Sequence, residues 1–428
     1  MNGYADWVSL PAFERGAPMQ KHSVLNMQHI LSLLKGRIPG QLIIQYTDSC
    51  NGTCPQCGMR RSENYKRSTL PEKEICKIID SAARQNIQAL SFTGGEPFLF
   101  KERLIEMIHY ASERKIPFIR TGTNGFMFTG WQSPDFTDRM HRFAEELSNT
   151  KLRNFWISID SAETDTHEQM RGLKGVIKGI EKALPIFHQH GIYPSANLGI
   201  NRNTGGAGKI SPKMTDPEVF FYEWVQAFEL FYKFVIDLGF TMTNACYPMS
   251  IETDASNQDA VYGATSECSL VAFSKEEKIQ LFKALMATIP KYRYSIRIFT
   301  PMVSLYSLIK QYEGHDEFAH PCRGGIDFFF IDAQKGNTYP CGYRGNEHLG
   351  KFYDLDINSL KKTPFCRDCD WECFRDPSEQ IGFLIETIRN PLNFLGDRKD
   401  PLYRALWKQD IRYYRQCDFF DGRRGMSF

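Results

Sequence analysis

Between Gln41 and Ala245 the chain repeats one pattern: a short apolar run ending in small or polar residues, then an amphipathic stretch of helical period. Strands are predicted over 41–46, 88–93, 117–121, 154–159, 193–200 and 239–245, with helices over 71–85, 101–114, 135–148, 173–190 and 216–237. Apolar strands joined by helical crossovers demand a parallel sheet with both faces covered. The expected fold is therefore α/β, a partial (β/α)6 TIM-like barrel with a small Cys-rich C-terminal extension.

The rest of the 428 residues divides around that pattern. Residues 1–38 read as a lead-in with a short helix around 22–34, and residues 39–314 as the barrel. Cysteines, glycines and turn residues dominate 315–375, and 376–428 form a tail with helices at 377–388 and 400–413. The Gly-rich segment 202–213 reads as a long loop, either solvated or a lid over the barrel mouth. It lacks the spacing of a phosphate-binding loop. A net charge of +2 gives no footprint for nucleic acid or an anionic membrane. No apolar run reaches the roughly 18–20 residues of a membrane span, and the start lacks a basic patch followed by an apolar core. The cytoplasm is the expected compartment, where clustered thiols mean metal or catalysis rather than disulfides.

The 12 cysteines are clustered. Cys50, Cys54 and Cys57 form C-x3-C-x2-C directly after the first strand, a spacing open to an iron–sulfur cluster or a zinc loop. Thr93-Gly94-Gly95-Glu96-Pro97 ends the second strand. Its glycines allow close backbone approach to a ligand, and Glu96 can accept from an ammonium group. Thr123-Asn124-Gly125 ends the third strand; Ser158-Ile159-Asp160-Ser161, then His167 and Arg171-Gly172, follow the fourth.

Together these residues resemble the radical S-adenosylmethionine (SAM) family over about residues 40–245. The resemblance implies a [4Fe–4S] cluster on Cys50, Cys54 and Cys57, its fourth iron open to the amino and carboxylate groups of SAM. It implies SAM contacts from Gly94, Gly95, Glu96 and Asn124, ribose or carboxylate contacts from Ser158, Asp160 and Arg171, and a further contact from Asn197. The implied chemistry is reductive cleavage of SAM to a 5′-deoxyadenosyl radical that abstracts hydrogen from a substrate. An external donor such as flavodoxin or ferredoxin would supply the electron. The family often carries an aromatic residue before the third cysteine; here it is Gln56, which leaves the adenine contact open.

A second group begins at Cys322, continues through Gly336-Asn-Thr-Tyr-Pro-Cys341, and ends in Cys366-Arg-Asp-Cys369-Asp-Trp-Glu-Cys373. It resembles the SPASM/twitch extension of the same family, one cysteine short of the full form. The resemblance implies one auxiliary [4Fe–4S] cluster on Cys322, Cys341, Cys366 and Cys369, with Cys373 able to replace one of the last pair. A structural zinc site would use the same four residues. Cys417 reads as a spare or a distant ligand. Cys76 reads as a small buried hydrophobe, and Cys246 and Cys268 have no partner pattern. Tyr343 and Arg344, just after Cys341, are the candidates for substrate contact or proton handling. Substrate classes left open are small molecules, lipids and peptides, and the competing functional reading is a non-catalytic iron–sulfur or zinc scaffold.

Overall fold

The computed structural model describes residues 33–34, 36–38, 40–58, 66–248, 268–360, 363–389 and 400–426. The helix expected around 22–34 lies outside them apart from Leu33 and Leu34. Parallel strands β1 (Gly40–Thr47), β2 (Ile87–Gly94), β3 (Phe118–Thr123), β4 (Leu152–Ser158), β5 (Ser195–Gly199), β6 (Met242–Cys246) and β7 (Arg297–Ile298) follow one another across the sheet. The crossovers are helices α1 (Glu72–Arg84), α2 (Lys101–Glu113), α3 (Phe136–Ser148), α4 (Thr164–Arg171), α5 (Val176–Gln189), α6 (Pro217–Asp237) and α7 (Lys275–Tyr292). After β7 come α8 (Met302–Tyr312), β8 (Phe328–Ile331), β9 (Thr338–Tyr339), α9 (Glu372–Arg389) and α10 (Pro401–Gln416). The sheet does not close: its order is β7-β6-β5-β4-β3-β2-β1-β8-β9. This is the expected open α/β barrel, lengthened by β7 at one edge and by β8 and β9 at the other.

The inner and outer faces follow from strand alternation. Along β8, Phe329 and Ile331 pair in register with Leu42 and Ile44 of β1 and enter the main core. Phe328 and Phe330 point the other way, into a second core with Ile43, Trp371, Phe374 and the cysteines 322, 341 and 366. Each fully buried phenylalanine contributes about 2 kcal/mol. The extension is thus fastened to the barrel by a strand ladder as well as by packing.

At the opposite, amino-terminal end of the strands the tail forms a floor. Asn154 donates to the Phe420 carbonyl at 2.6 Å and Arg297 to the Asp421 carbonyl at 3.0 Å. Arg423 gathers the carbonyls of Leu147, Ser148, Thr150 and Leu152. Cys417 sits in this floor with Met242, Tyr413 and Phe420. It is a buried packing residue, remote from both cysteine groups, because α10 carries it under the barrel. Segment 202–213 is pinned rather than free: Arg202 makes a buried ion pair with Glu277 at 2.9 Å, Ala207 N–H donates to Glu163 at 3.1 Å and Ser211 to Glu223 at 2.6 Å. None of the helices among the described residues is long and apolar enough to cross a membrane.

Candidate functional site

The loop after β1 carries Cys50, Cys54 and Cys57. A Cβ placed on Gly52 would lie 3.4 Å from Cys54 Sγ and 3.6 Å from Cys50 Sγ, so the two sulfurs flank one small gap. The Gly52 N–H donates to Cys50 Sγ at 3.3 Å, and the Asn124 amide, from the end of β3, reaches the same sulfur at 3.8 Å and Asn51 at 2.9 Å. From the end of β4, Asp160 accepts from Gln56 at 2.9 Å and pairs with Arg171 at 2.8 Å. The Arg171 carbonyl accepts from Thr53 N–H at 3.0 Å. Gln56, out of place beside the family pattern, therefore ties the cysteine loop to β4.

Electrostatics fit an anionic ligand set. Burial pushes the Cys54 thiol up to about 11, with Arg171 pulling the other way. Burial opposes the charge on Arg171, but Asp160 and the neighbouring thiols more than offset it, so the guanidinium is held firmly charged. His167 is fully buried and accepts from the Asp160 N–H through Nδ1 at 3.1 Å. Burial lowers it to about 4, so it stands neutral with its proton on Nε2.

Glu96 does something other than its sequence position suggests. Its carboxyl is fully buried, accepts from the Asn124 N–H at 2.6 Å and the Phe98 N–H at 3.1 Å, and is raised by burial to about 7. Turned inward, it holds the ends of β2 and β3 together with one hydrogen bond to each carboxylate oxygen. The two glycines before it serve a close approach between chain segments. A Cβ on Gly94 would meet the Thr47 carbonyl at 1.8 Å, and one on Gly95 the Ser49 carbonyl at 2.1 Å. Ser158 ends β4 in register with Asn197 on β5. Asn197 faces the barrel interior, where it accepts from Asn244 at 2.5 Å and Cys246 at 3.3 Å.

That interior is a cavity of about 330 Å³, lined by Arg120, Asn154, Trp156, Asn197, Cys246, Trp371, Glu372, Cys373 and Asp376 among others. Cys373 was expected near the quartet of cysteines, yet it lines this cavity beside Glu372, at 3.4 Å. The chain turns into α9 at Glu372, so Cys373 leaves at a different angle from Cys369. Tyr343 and Arg344 are absent from the cavity wall. Tyr343 packs on Trp371 with ring centroids 5.8 Å apart, and Arg344 binds Glu347 and the Gly324 carbonyl. They flank the cysteine quartet instead, Tyr343 packed in the core that holds Cys322, Cys341 and Cys366, and Arg344 close enough to feel the charge of Cys366 and Cys341.

Cys246, Glu372 and Arg120 are the residues the sequence reading passed over. The signal was present for two of them, since Arg120 and Cys246 are polar or reactive residues on inward positions of apolar strands. Glu372 is raised by burial to about 7, next to Cys246, Cys373 and Asp376, and takes a hydrogen bond from the Tyr247 backbone N–H, while the Tyr247 hydroxyl bonds Asp376. Its stabilising contribution is complete below about pH 4.5, the unfolded value, and disappears as pH climbs through 7. Glu372→Gln should flatten that slope, so that its stability relative to wild type improves by up to about 3 kcal/mol between pH 4.5 and 7. Urea unfolding of both proteins across that range checks this; parallel curves would refute it.

The second cysteine group converges. Cys322 N–H donates to the Cys366 carbonyl at 2.8 Å. Each of Cys322, Cys341, Cys366 and Cys369 accepts from the backbone N–H two residues on, at 3.4 Å for Gly324 and Tyr343. Burial raises all four thiols, Cys341 and Cys366 to about 12, and each influences its neighbours' charge. Arg375 stands beside them with Nη1 buried and unbonded, its charge favoured by Glu379 and the thiols despite burial. Backbone donors plus a guanidinium suit thiolates that hold an electron-rich inorganic group. Among the described residues no three His, Cys, Asp or Glu side chains gather tightly enough for a single metal ion.

Comparison with known proteins adds to this geometry. The profile of the Radical SAM superfamily matches residues 44–203. A probable GTP 3′,8-cyclase of Pyrococcus abyssi is 31% identical over 169 residues, covering 39% of this chain and 50% of the relative. The chain thus spans half the length of that relative. An AdoMet-dependent heme synthase of Nitratidesulfovibrio vulgaris is 21% identical over 321 residues, 75% of this chain and 76% of the relative. The crystal structure of Streptococcus suis SuiB bound to S-adenosylmethionine superposes with a TM-score of 0.49 at 15% identity, covering 83% of this chain and 71% of that one.

Proposed function

We propose that this chain, which carries a radical SAM domain over residues 44–203, is an enzyme that cleaves SAM reductively and takes a hydrogen atom from a substrate held in the barrel cavity. The observation that carries the proposal is the meeting of Cys50, Cys54 and Cys57 with Asn124, Asp160 and Arg171 at the carboxyl ends of β1, β3 and β4. A [4Fe–4S] cluster on the three cysteines, with SAM on its open iron, supplies the one-electron chemistry. Arg171 favours the thiolates, and Asp160, through Gln56, fixes the loop that presents them. Asn124 hydrogen-bonds Cys50 and stands where it can also meet SAM. The backbone of Gly94-Gly95, with Ser158 and Asn197 nearer the cavity, completes the edge along which SAM would lie. Glu96 acts from behind, by positioning Asn124.

Cys322, Cys341, Cys366 and Cys369 hold one auxiliary [4Fe–4S] cluster in this reading, supported by their shared backbone donors and by Arg375. The cavity size favours a small-molecule substrate, and an external one-electron donor such as flavodoxin or ferredoxin completes the system.

Anaerobically reconstituted protein should carry about eight irons per chain and an equal count of sulfide, and should form 5′-deoxyadenosine with SAM and dithionite. Cys369→Ser should bring iron down to about four, whereas Cys373→Ser and Cys417→Ser should leave it unchanged. A colourless, zinc-bearing protein would point to a scaffold and overturn the proposal. Loss of iron in the Cys373 variant would overturn the ligand assignment.

A further inference from the structure

Arg120 sits midway along β3, between Ser91 of β2 and Asn154 of β4 in the ladder, with its guanidinium in the cavity wall. Its Nε donates to Ser91 Oγ at 3.1 Å. Among the described residues it has no carboxylate partner, and the group that most favours its charge is the Cys373 thiol. Four other arginines buried in this chain have carboxylate partners, Arg171 with Asp160, Arg202 with Glu277, Arg293 with Asp410 and Arg323 with Asp327, whereas Arg297 is held by backbone carbonyls and Arg375 by the Gln311 amide. An unpaired guanidinium deep in a barrel is costly, and it stays charged. With Nε engaged, Nη1 and Nη2 form the fork that suits an oxyanion.

The adjoining surface is built for the remainder of a ligand. Gly122, two residues along β3, has no side chain because the Trp156 indole occupies that space; a Cβ there would lie 2.0 Å from the indole nitrogen. The ring is thereby laid against the strand, where it lines the cavity.

Taking the proposed reading of the cavity as the substrate site, we infer that the substrate carries an oxyanion, a carboxylate or a phosphate, which docks on Arg120 while its body lies over Trp156. The inference fixes the substrate's polarity: an anionic end deep in the barrel, and the reacting carbon toward the carboxyl ends of the strands.

The test uses the full chain with its clusters reconstituted, kept anaerobic, and titrated with sodium acetate and separately with sodium phosphate at an ionic strength matched by sodium chloride. Binding is read by calorimetry and by tryptophan fluorescence, since Trp156 and Trp371 line the cavity. Wild type should bind at least one of the two anions over chloride. Arg120→Gln should weaken that binding at least tenfold, and Arg120→Lys should retain part of it. Without anion, Arg120→Gln should melt above wild type, as expected on removing an uncompensated charge and opposite to the effect of losing a structural residue. Binding of acetate alone assigns a carboxylate, and of phosphate alone a phosphoryl group. No anion binding by wild type, or equal binding by Arg120→Gln, overturns the inference. 5′-Deoxyadenosine formation, measured on the same wild-type sample, reports separately on the radical reading, so either can fail without the other.

Discussion

Alanine at Cys50, Cys54 and Cys57 together should abolish 5′-deoxyadenosine formation while the protein keeps about four irons. The effect is complete because the cysteines that would hold the SAM-binding cluster are all removed. The retained iron follows from a separate support: the second group is held by β8, by backbone pairing of Cys322 with Cys366 and by Arg375. Stability should fall by about 1–2 kcal/mol, nearly all of it from the buried Cys54, since Cys50 is exposed and Cys57 half-buried. Iron and sulfide counts, chromatography of the SAM products and a urea melt measure all three parts. Residual 5′-deoxyadenosine in the triple variant would place the cleavage chemistry elsewhere.

Asp160→Ala should be the most destabilising polar substitution at the site, by about 3–5 kcal/mol. Asp160 is 2% exposed and takes both Arg171 and Gln56, so its removal strands a charged guanidinium among thiols and cuts the tie to the cysteine loop. Asp160→Asn keeps a hydrogen-bonding oxygen and should lose less. The double variant Asp160→Ala/Arg171→Ala should lose less than the two single losses combined, because the stranded charge is gone. Urea unfolding of the four proteins gives the coupling directly. Additive losses would mean that the pair is incidental. The iron content of Asp160→Ala, measured beside it, should fall at the first cluster.

Much of this was legible in the residues. Strand–helix alternation sufficed for the six-stranded parallel barrel, because each crossover helix carries its own period. The placement of the C-x3-C-x2-C loop, Asn124 and Asp160 was legible because each sits at a strand end, where sequence position and spatial position coincide; Arg171 reaches them from the last residue of α4. Side-chain direction was not. Glu96 turns inward to take two backbone amides, and Cys373 turns into the cavity because a helix begins one residue earlier. Tyr343 and Arg344 follow Cys341 closely in sequence yet flank the second cysteine group. Phe328-Phe329-Phe330 shows only apolar character in the sequence. Three aromatics in a row cannot disclose that alternate rings serve two different cores, nor that the strand they form pairs with one nearly 290 residues earlier. Arg120 was visible as a charged residue in an apolar strand but not interpretable: an arginine there is ordinary on an exposed face, and only the curvature of the open sheet shows which face is inside.

The ladder between β1 and β8 bears on how this protein can be handled. A shortened version stopping before residue 315 looks reasonable on the sequence, since the first cysteine loop and all the strands from β1 to β7 precede it. It would turn β1 into an edge strand, baring the backbone of Gln41–Ile44 and the apolar side chains that now meet Phe328–Ile331. An uncovered apolar edge invites strand-to-strand aggregation. Such a fragment would be expected in inclusion bodies, and its inactivity there would say nothing about the role of the second cysteine group. Dissecting the two cysteine groups calls for point substitutions within an intact chain.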